Sequence, residues 1–160
     1  MTNPSPAEPG IVTPDGDAKF DVFISYARKS SAQQARALRR ALERYARAWN
    51  RARSTVVFLD DQSMSASDSL EATIRSALAD SRWLMVLLSE GAAQSLWVDK
   101  ELSWWLANRD ARKILLVHIN GTVEWSGKDF SASSTAVPSA LFGALSEEPR
   151  WVDLTWFGAD

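Results

Sequence analysis

At 160 residues and 46% hydrophobic content, the chain has enough apolar surface for one domain whose core needs neither disulfides nor metal. It has no cysteine, which excludes disulfide frameworks, thiolate metal sites and cysteine nucleophiles and agrees with a reducing, cytoplasmic compartment. The formal net charge of −2 conceals a basic stretch, Lys19 to Arg53, in which Glu43 is nearly the only acidic residue.

Residues 1–18 are rich in Pro, Gly, Asp and Thr without any period, the pattern of a disordered leader, and the folded domain is expected over residues 19–160. Met1 to Gly10 places no apolar run after basic residues, so a secretory signal is not expected. Phe20 to Ser25 reads as the first strand. The helix after it sets Arg36, Arg39, Arg40, Arg44 and Arg47 largely opposite Ala35, Leu38, Leu42, Tyr45 and Trp49. A solvated helix face accounts for those arginines, and a nucleic-acid partner ranks last among the readings. Thr55 to Leu59 is the second strand, followed by a capping-box pattern, Asp68 to Glu71, and by Leu70, Ile74, Ala77 and Leu78 at helical spacing. Trp83 to Leu88 is the third strand and the longest apolar run, far short of the roughly 20 residues a membrane span requires, so no membrane partner is expected. Ser95 can cap a helix running to about Asn108, and Ile114 to Ile119 is the fourth strand. Gly121 to about Ser139 is loop-like, and a short helix around Ala140 to Leu145 precedes a fifth strand, Trp151 to Leu154.

Runs as apolar as Leu84-Met85-Val86-Leu87-Leu88 and Ile114-Leu115-Leu116-Val117 fit strands covered on both faces, the habit of parallel sheets flanked by helices. The fold class is therefore α/β, a doubly wound, five-stranded parallel sheet, with ligands expected at the carboxyl ends of strands, after Ser25 and Ser89. Neither G-x-x-x-x-G-K-[ST] nor G-x-G-x-x-G occurs, which removes local support for a triphosphatase or a hydride-transferring dinucleotide fold. His118, the one histidine, lies inside an apolar strand and reads as a satisfied core imidazole rather than a catalytic one. A phosphoacceptor receiver would need a phosphorylatable Asp after the third strand, where Ser89-Glu90 stands instead.

Phe20-Asp21-Val22-Phe23-Ile24-Ser25-Tyr26 resembles the first box of Toll/interleukin-1 receptor (TIR) domains, whose sheet is flavodoxin-like. Val57-Phe58-Leu59-Asp60-Asp61 and the polar loop after it resemble the family's second strand and BB loop, and Ser95-Leu96-Trp97-Val98-Asp99-Lys100-Glu101-Leu102 is similar to its S-x-W-x-x-x-E-L stretch. The likeness covers about residues 19–157. The family's BB loop makes TIR–TIR contacts, which implies self-association through Asp61, Met64 and Ser67; Met64-Ser65-Ala66-Ser67 lacks the glycine common there, so only the loop's location is carried over.

Many TIR domains with this W-x-x-x-E pattern cleave the nicotinamide–ribose bond of NAD, and the resemblance implies that activity here, with Glu101 catalytic and NAD as substrate. No cofactor or metal is implied. Trp97 and Trp104 or Trp105 flank Glu101 at helical spacing, so the carboxylate has aromatic neighbours one turn away on each side. Ser25, Tyr26 and Trp97 are candidates to line the cleft, and Arg28 and Lys29 to pair with the pyrophosphate. The resemblance further implies an immune or antiphage effector switched on by assembly, under a sensor domain or partner protein outside this chain. Linear and cyclised ADP-ribose are both open as products. The alternative within the family is a non-enzymatic adaptor that only recruits other TIR domains. On residues alone, Glu101 also reads as an exposed helix carboxylate paired with Lys100 or Arg109, the tryptophans as core packing, and Arg28 and Lys29 as solvated bases.

Overall fold

The apolar runs dictate where the sheet sits, because a strand without a polar face must be covered twice. The computed structural model describes residues 18–48, 56–59 and 68–157. Its elements run β1 (Phe20–Ser25), α1 (Arg28–Ala48), β2 (Val57–Leu59), α2 (Asp68–Ala79), β3 (Ser81–Leu88), α3 (Glu90–Gln94), α4 (Leu96–Asn108), β4 (Ile114–His118) and β5 (Trp151–Asp153). All pairings are parallel, in the order β2-β1-β3-β4-β5. Strand order therefore reverses between β1 and β3, as a doubly wound, flavodoxin-like sheet requires.

β3 is the centre of the molecule. Its Leu84, Val86 and Leu88 join one core cluster with Ile74, Ala77 and Leu78 of α2 and Val98, Leu102 and Trp105 of α4. Met85 and Leu87 alternate to the other face and meet Ala35, Leu38 and Leu42 of α1. Along α1, Arg36, Arg39, Arg40 and Arg44 are exposed, so the arginines occupy the solvated face, with Arg39 bonded to Glu43 at 3.3 Å. Tyr45, expected on the apolar side of this helix, is instead 64% exposed; Trp49 lies outside the described residues.

Several expectations shift at element ends. The β4 and β5 strands stop one residue early, yet Ile119 N still donates to Leu88 O at 2.8 Å and Leu154 N to His118 O at 2.8 Å. The proposed start of β2 at Thr55 and the leader apart from Ala18 lie outside the described residues. The short helix near residue 140 is a single 3-10 turn, Ser139–Leu141, beyond which Gly143 takes φ +72° and the chain turns away. One helix went unforeseen, α3. Ser89 caps it by accepting from Ala92 N at 3.0 Å, and Ser95 then caps α4 by accepting from Val98 N at 3.2 Å. Gly91 lets α3 lie close on α1, because a Cβ there would sit 2.4 Å from Ser30 Oγ and 3.1 Å from Ala27 Cβ. His118 is half-buried with Nε2 2.8 Å from Gly121 O, a structural imidazole. Among the described residues no helix is long and apolar enough to cross a membrane.

Candidate active site

Helices α2 and α4 both leave the carboxyl edge of the sheet, α2 after β2 and α4 after β3 by way of α3. The two helices are bridged by Lys100 Nζ of α4 and Glu71 Oε1 of α2 at 3.1 Å. Between them lies a cavity of about 420 Å³. Glu71, Ile74, Arg75 and Leu78 of α2 form one wall, and Trp97, Asp99, Lys100, Glu101, Ser103 and Trp104 of α4 the other.

The buried stripe of α4 is Val98, Glu101, Leu102 and Trp105, the i, i+3, i+4, i+7 spacing of a core-facing helix. Glu101 occupies a position where an apolar residue would cost nothing, and at 5% exposure its carboxylate is largely stripped of water. It is thus not an exposed surface acid. Lys100 reaches across to Glu71, and Arg109 donates to Ala79 O and Ser81 O, both at 2.7 Å, while lying 4.7 Å from the Trp105 ring centroid.

The tryptophans divide their labour. Trp105 is fully buried and donates from Nε1 to Asp110 O at 3.0 Å, so it is core. Trp97 and Trp104 are half-buried and line the cavity. The Trp97 ring carries two cations, Arg28 Cζ at 5.0 Å and Lys100 Nζ at 5.7 Å from its centroid. Asp99, although it lines the cavity, is committed elsewhere: its Oδ1 accepts from Ser139 Oγ at 3.0 Å and Ala140 N at 2.7 Å, tying α4 to the 3-10 turn.

The structure thus brings Trp97 and Glu101 together on one wall and sets Arg28 against Trp97. Ser25 and Tyr26 are sealed in the core at 1% and 4% exposure, Lys29 is exposed, and none of the three lines the cavity. Asp61, Met64 and Ser67 lie outside the described residues.

The profile of the TIR domain family matches residues 22–155. The chain belongs to this family. Among curated proteins, this TIR domain is 38% identical over 145 residues to NAD(+) hydrolase ApTIR of an Actinoplanes species, a match that covers 89% of this chain. The matched part is only 20% of that relative's length. Among solved structures it resembles the TIR domains of the activated Roq1 resistosome directly recognising the pathogen effector XopQ, at 19% identity and a TM-score of 0.45 over 64% of this chain and 60% of that one.

The sequence did not single out Glu71 and Arg75 as lining residues, and it weighed Lys100 only as a partner for Glu101. Glu71 and Arg75 are one turn apart, 3.6 Å between Oε2 and Nη2, a spacing readable from sequence; the bridge to Lys100 crosses between helices and left no local sign. The hydrogen bond and charge of Lys100, reinforced by Arg75, hold the Glu71 carboxyl below its ordinary pKa despite slight desolvation. The contribution of this pair is therefore present above the ordinary carboxylate pKa and fades as pH falls through the depressed one. Carboxyl NMR titration of Glu71 should show its pKa rising in Lys100→Ala; an unchanged value would mean that the ion pair is absent in solution.

Proposed function

We propose that this TIR domain cleaves the nicotinamide–ribose bond of NAD and that Glu101 carries the chemistry. The observation behind this assignment is a carboxylate at 5% exposure on the wall of a cavity, one helical turn from the half-buried Trp97. The relative named an NAD(+) hydrolase, 38% identical over nearly the whole of this chain, supports it. The cavity of about 420 Å³ lies within the 300–1,000 Å³ range usual for ligand sites, and Trp97 and Trp104 line it.

Most glycosidases need a second carboxyl group, because a sugar alkoxide leaves only when protonated. Nicotinamide needs no such help. As the bond between its nitrogen and ribose C1′ breaks, the electron pair stays on the nitrogen and cancels the pyridinium charge. The positive charge passes to the ribose as an oxocarbenium-like centre. A single carboxylate can stabilise that centre, and a buried one does so more strongly because little water screens it. Water then adds through oxygen to C1′ and loses one proton, leaving ADP-ribose; capture by a nucleophile of the same molecule would give a cyclised product instead.

We further propose that neighbouring TIR domains assemble to switch the site on, as an effector of immune or antiphage defence acting in the cytoplasm. The expected contact loop, Asp60 to Ser69, comes just before Glu71 of the cavity wall in the chain, which is the link between docking and the site. Incubating concentrated protein with NAD and following nicotinamide by chromatography tests both statements. Nicotinamide should appear, and turnover per molecule should rise with protein concentration as the competent arrangement becomes populated. Absence of nicotinamide at every concentration would remove the activity. Specific activity that stays flat over a hundredfold dilution would show a site complete in the monomer.

A further inference from the structure

We propose that Lys100 and Arg75 form the phosphate-binding side of the α2–α4 cavity, and that Glu71 holds that side closed until a pyrophosphate displaces it. The inference deepens the NAD assignment and rests on it. Arg28 and Lys29, the bases that sequence position offers for a pyrophosphate, follow β1, but neither lines the cavity, and Arg28 has its guanidinium 5.0 Å from the Trp97 ring centroid. The cations that do line it are Arg75 and Lys100, on opposite walls.

Both point at one carboxylate. Glu71 receives Lys100 Nζ at 3.1 Å on Oε1 and Arg75 Nη2 at 3.6 Å on Oε2, so the two bases converge on an anion that the protein itself supplies. A pyrophosphate offers more charge and more acceptor oxygens than a carboxylate, and arginine with lysine is a pairing suited to it. Exchange is cheap. The side chains of Lys100 and Arg75 are 65% and 64% exposed and that of Glu71 36%, and ion pairs this wet contribute little to stability, so opening the clasp costs little. Lys100 directly precedes Glu101 on α4 and also lies 5.7 Å from the Trp97 ring centroid. A phosphate held there would anchor the part of the substrate that does not change during bond cleavage, which is uniform binding rather than transition-state stabilisation.

Calorimetric titration of the full chain with ADP-ribose, alongside steady-state NAD kinetics, tests this. Lys100→Ala should raise the Kd for ADP-ribose and the KM for NAD by about tenfold, the loss of one charge-assisted contact, with kcat changed less than about twofold. Glu71→Gln should lower both constants several-fold, and Lys100→Arg, which keeps the charge but not the geometry, should raise them less than Lys100→Ala does. A mere staple between α2 and α4 predicts otherwise, since Lys100→Ala and Glu71→Gln both break it and would move binding in the same direction. Shifts of the same sign, no shift, or no ADP-ribose binding by the wild-type chain would each overturn the proposal. Nicotinamide release by the wild-type chain judges the NAD assignment separately. Turnover without the opposite shifts removes only the phosphate side, whereas opposite shifts without turnover keep it and remove the cleavage.

Discussion

Replacing Glu101 by glutamine should stop nicotinamide release while leaving the fold intact. The substitution keeps almost all of the side-chain volume on the buried stripe of α4 and removes only the charge. Loss of a preorganised electrostatic stabiliser costs about 10²–10³-fold in turnover, and the loss should be larger here because no second carboxylate is assigned to share the work. Stability should not fall, since a neutral amide is cheaper to bury than a carboxylate. The thermal midpoint should stay within about 3 °C of wild type, the shift that roughly 1 kcal/mol produces in a domain of this size. Chromatography of nicotinamide and differential scanning calorimetry on the same sample separate the two effects. Wild-type turnover would end the catalytic assignment, and a midpoint lowered by many degrees would make Glu101 a structural residue.

The second large effect concerns neighbouring tryptophans with different duties. Trp105 is fully buried, bonded to Asp110 O and covered by Arg109, so Trp105→Ala should destabilise the domain by about 3–5 kcal/mol. That is a large fraction of the stability of an ordinary domain. Trp104 lines the cavity and is half-buried, so Trp104→Ala should cost far less stability and act on the KM for NAD. Urea unfolding of both variants, paired with kinetics of the folded one, checks the division. Equal loss of stability in the two would place Trp104 in the core.

How much of this was legible in sequence follows from the reach of each signal. β3 was readable because its apolar run suggests a strand covered on both faces, β4 likewise although Leu115 is 38% exposed, and the start of α4 was readable because Ser95 is a cap whose partner, Val98 N, is three residues away. α3 was missed because Glu90–Gln94 is too short to show a period and contains a glycine, a residue that ordinarily argues against a helix. That glycine serves the packing on α1 instead. In the site, Glu101 was reached through the family stretch, although a carboxylate in phase with Val98, Leu102 and Trp105 is a signal the residues carry unaided. The placing of Arg28 and Lys29 at the pyrophosphate rested on nearness to β1, and nearness in sequence says nothing about which helix closes a cavity. Lys100 and Glu71 are 29 residues apart and met only when α2 and α4 came together.

The outer edge of the sheet bears on how copies of this domain could join. β5 contributes three residues against the eight of β3, and Asp153 ends it by turning its carboxylate to Thr155 N at 2.9 Å and Thr155 Oγ1 at 2.7 Å. A neighbour aligning its own strand there would find only a few unpaired peptide groups before the backbone bends away. Growth of a filament by continuing one sheet from molecule to molecule is thereby discouraged at this edge. At this edge, cohesion between copies would have to come from side chains rather than from shared backbone hydrogen bonds, a kind of contact that can form and dissolve without templating aggregation.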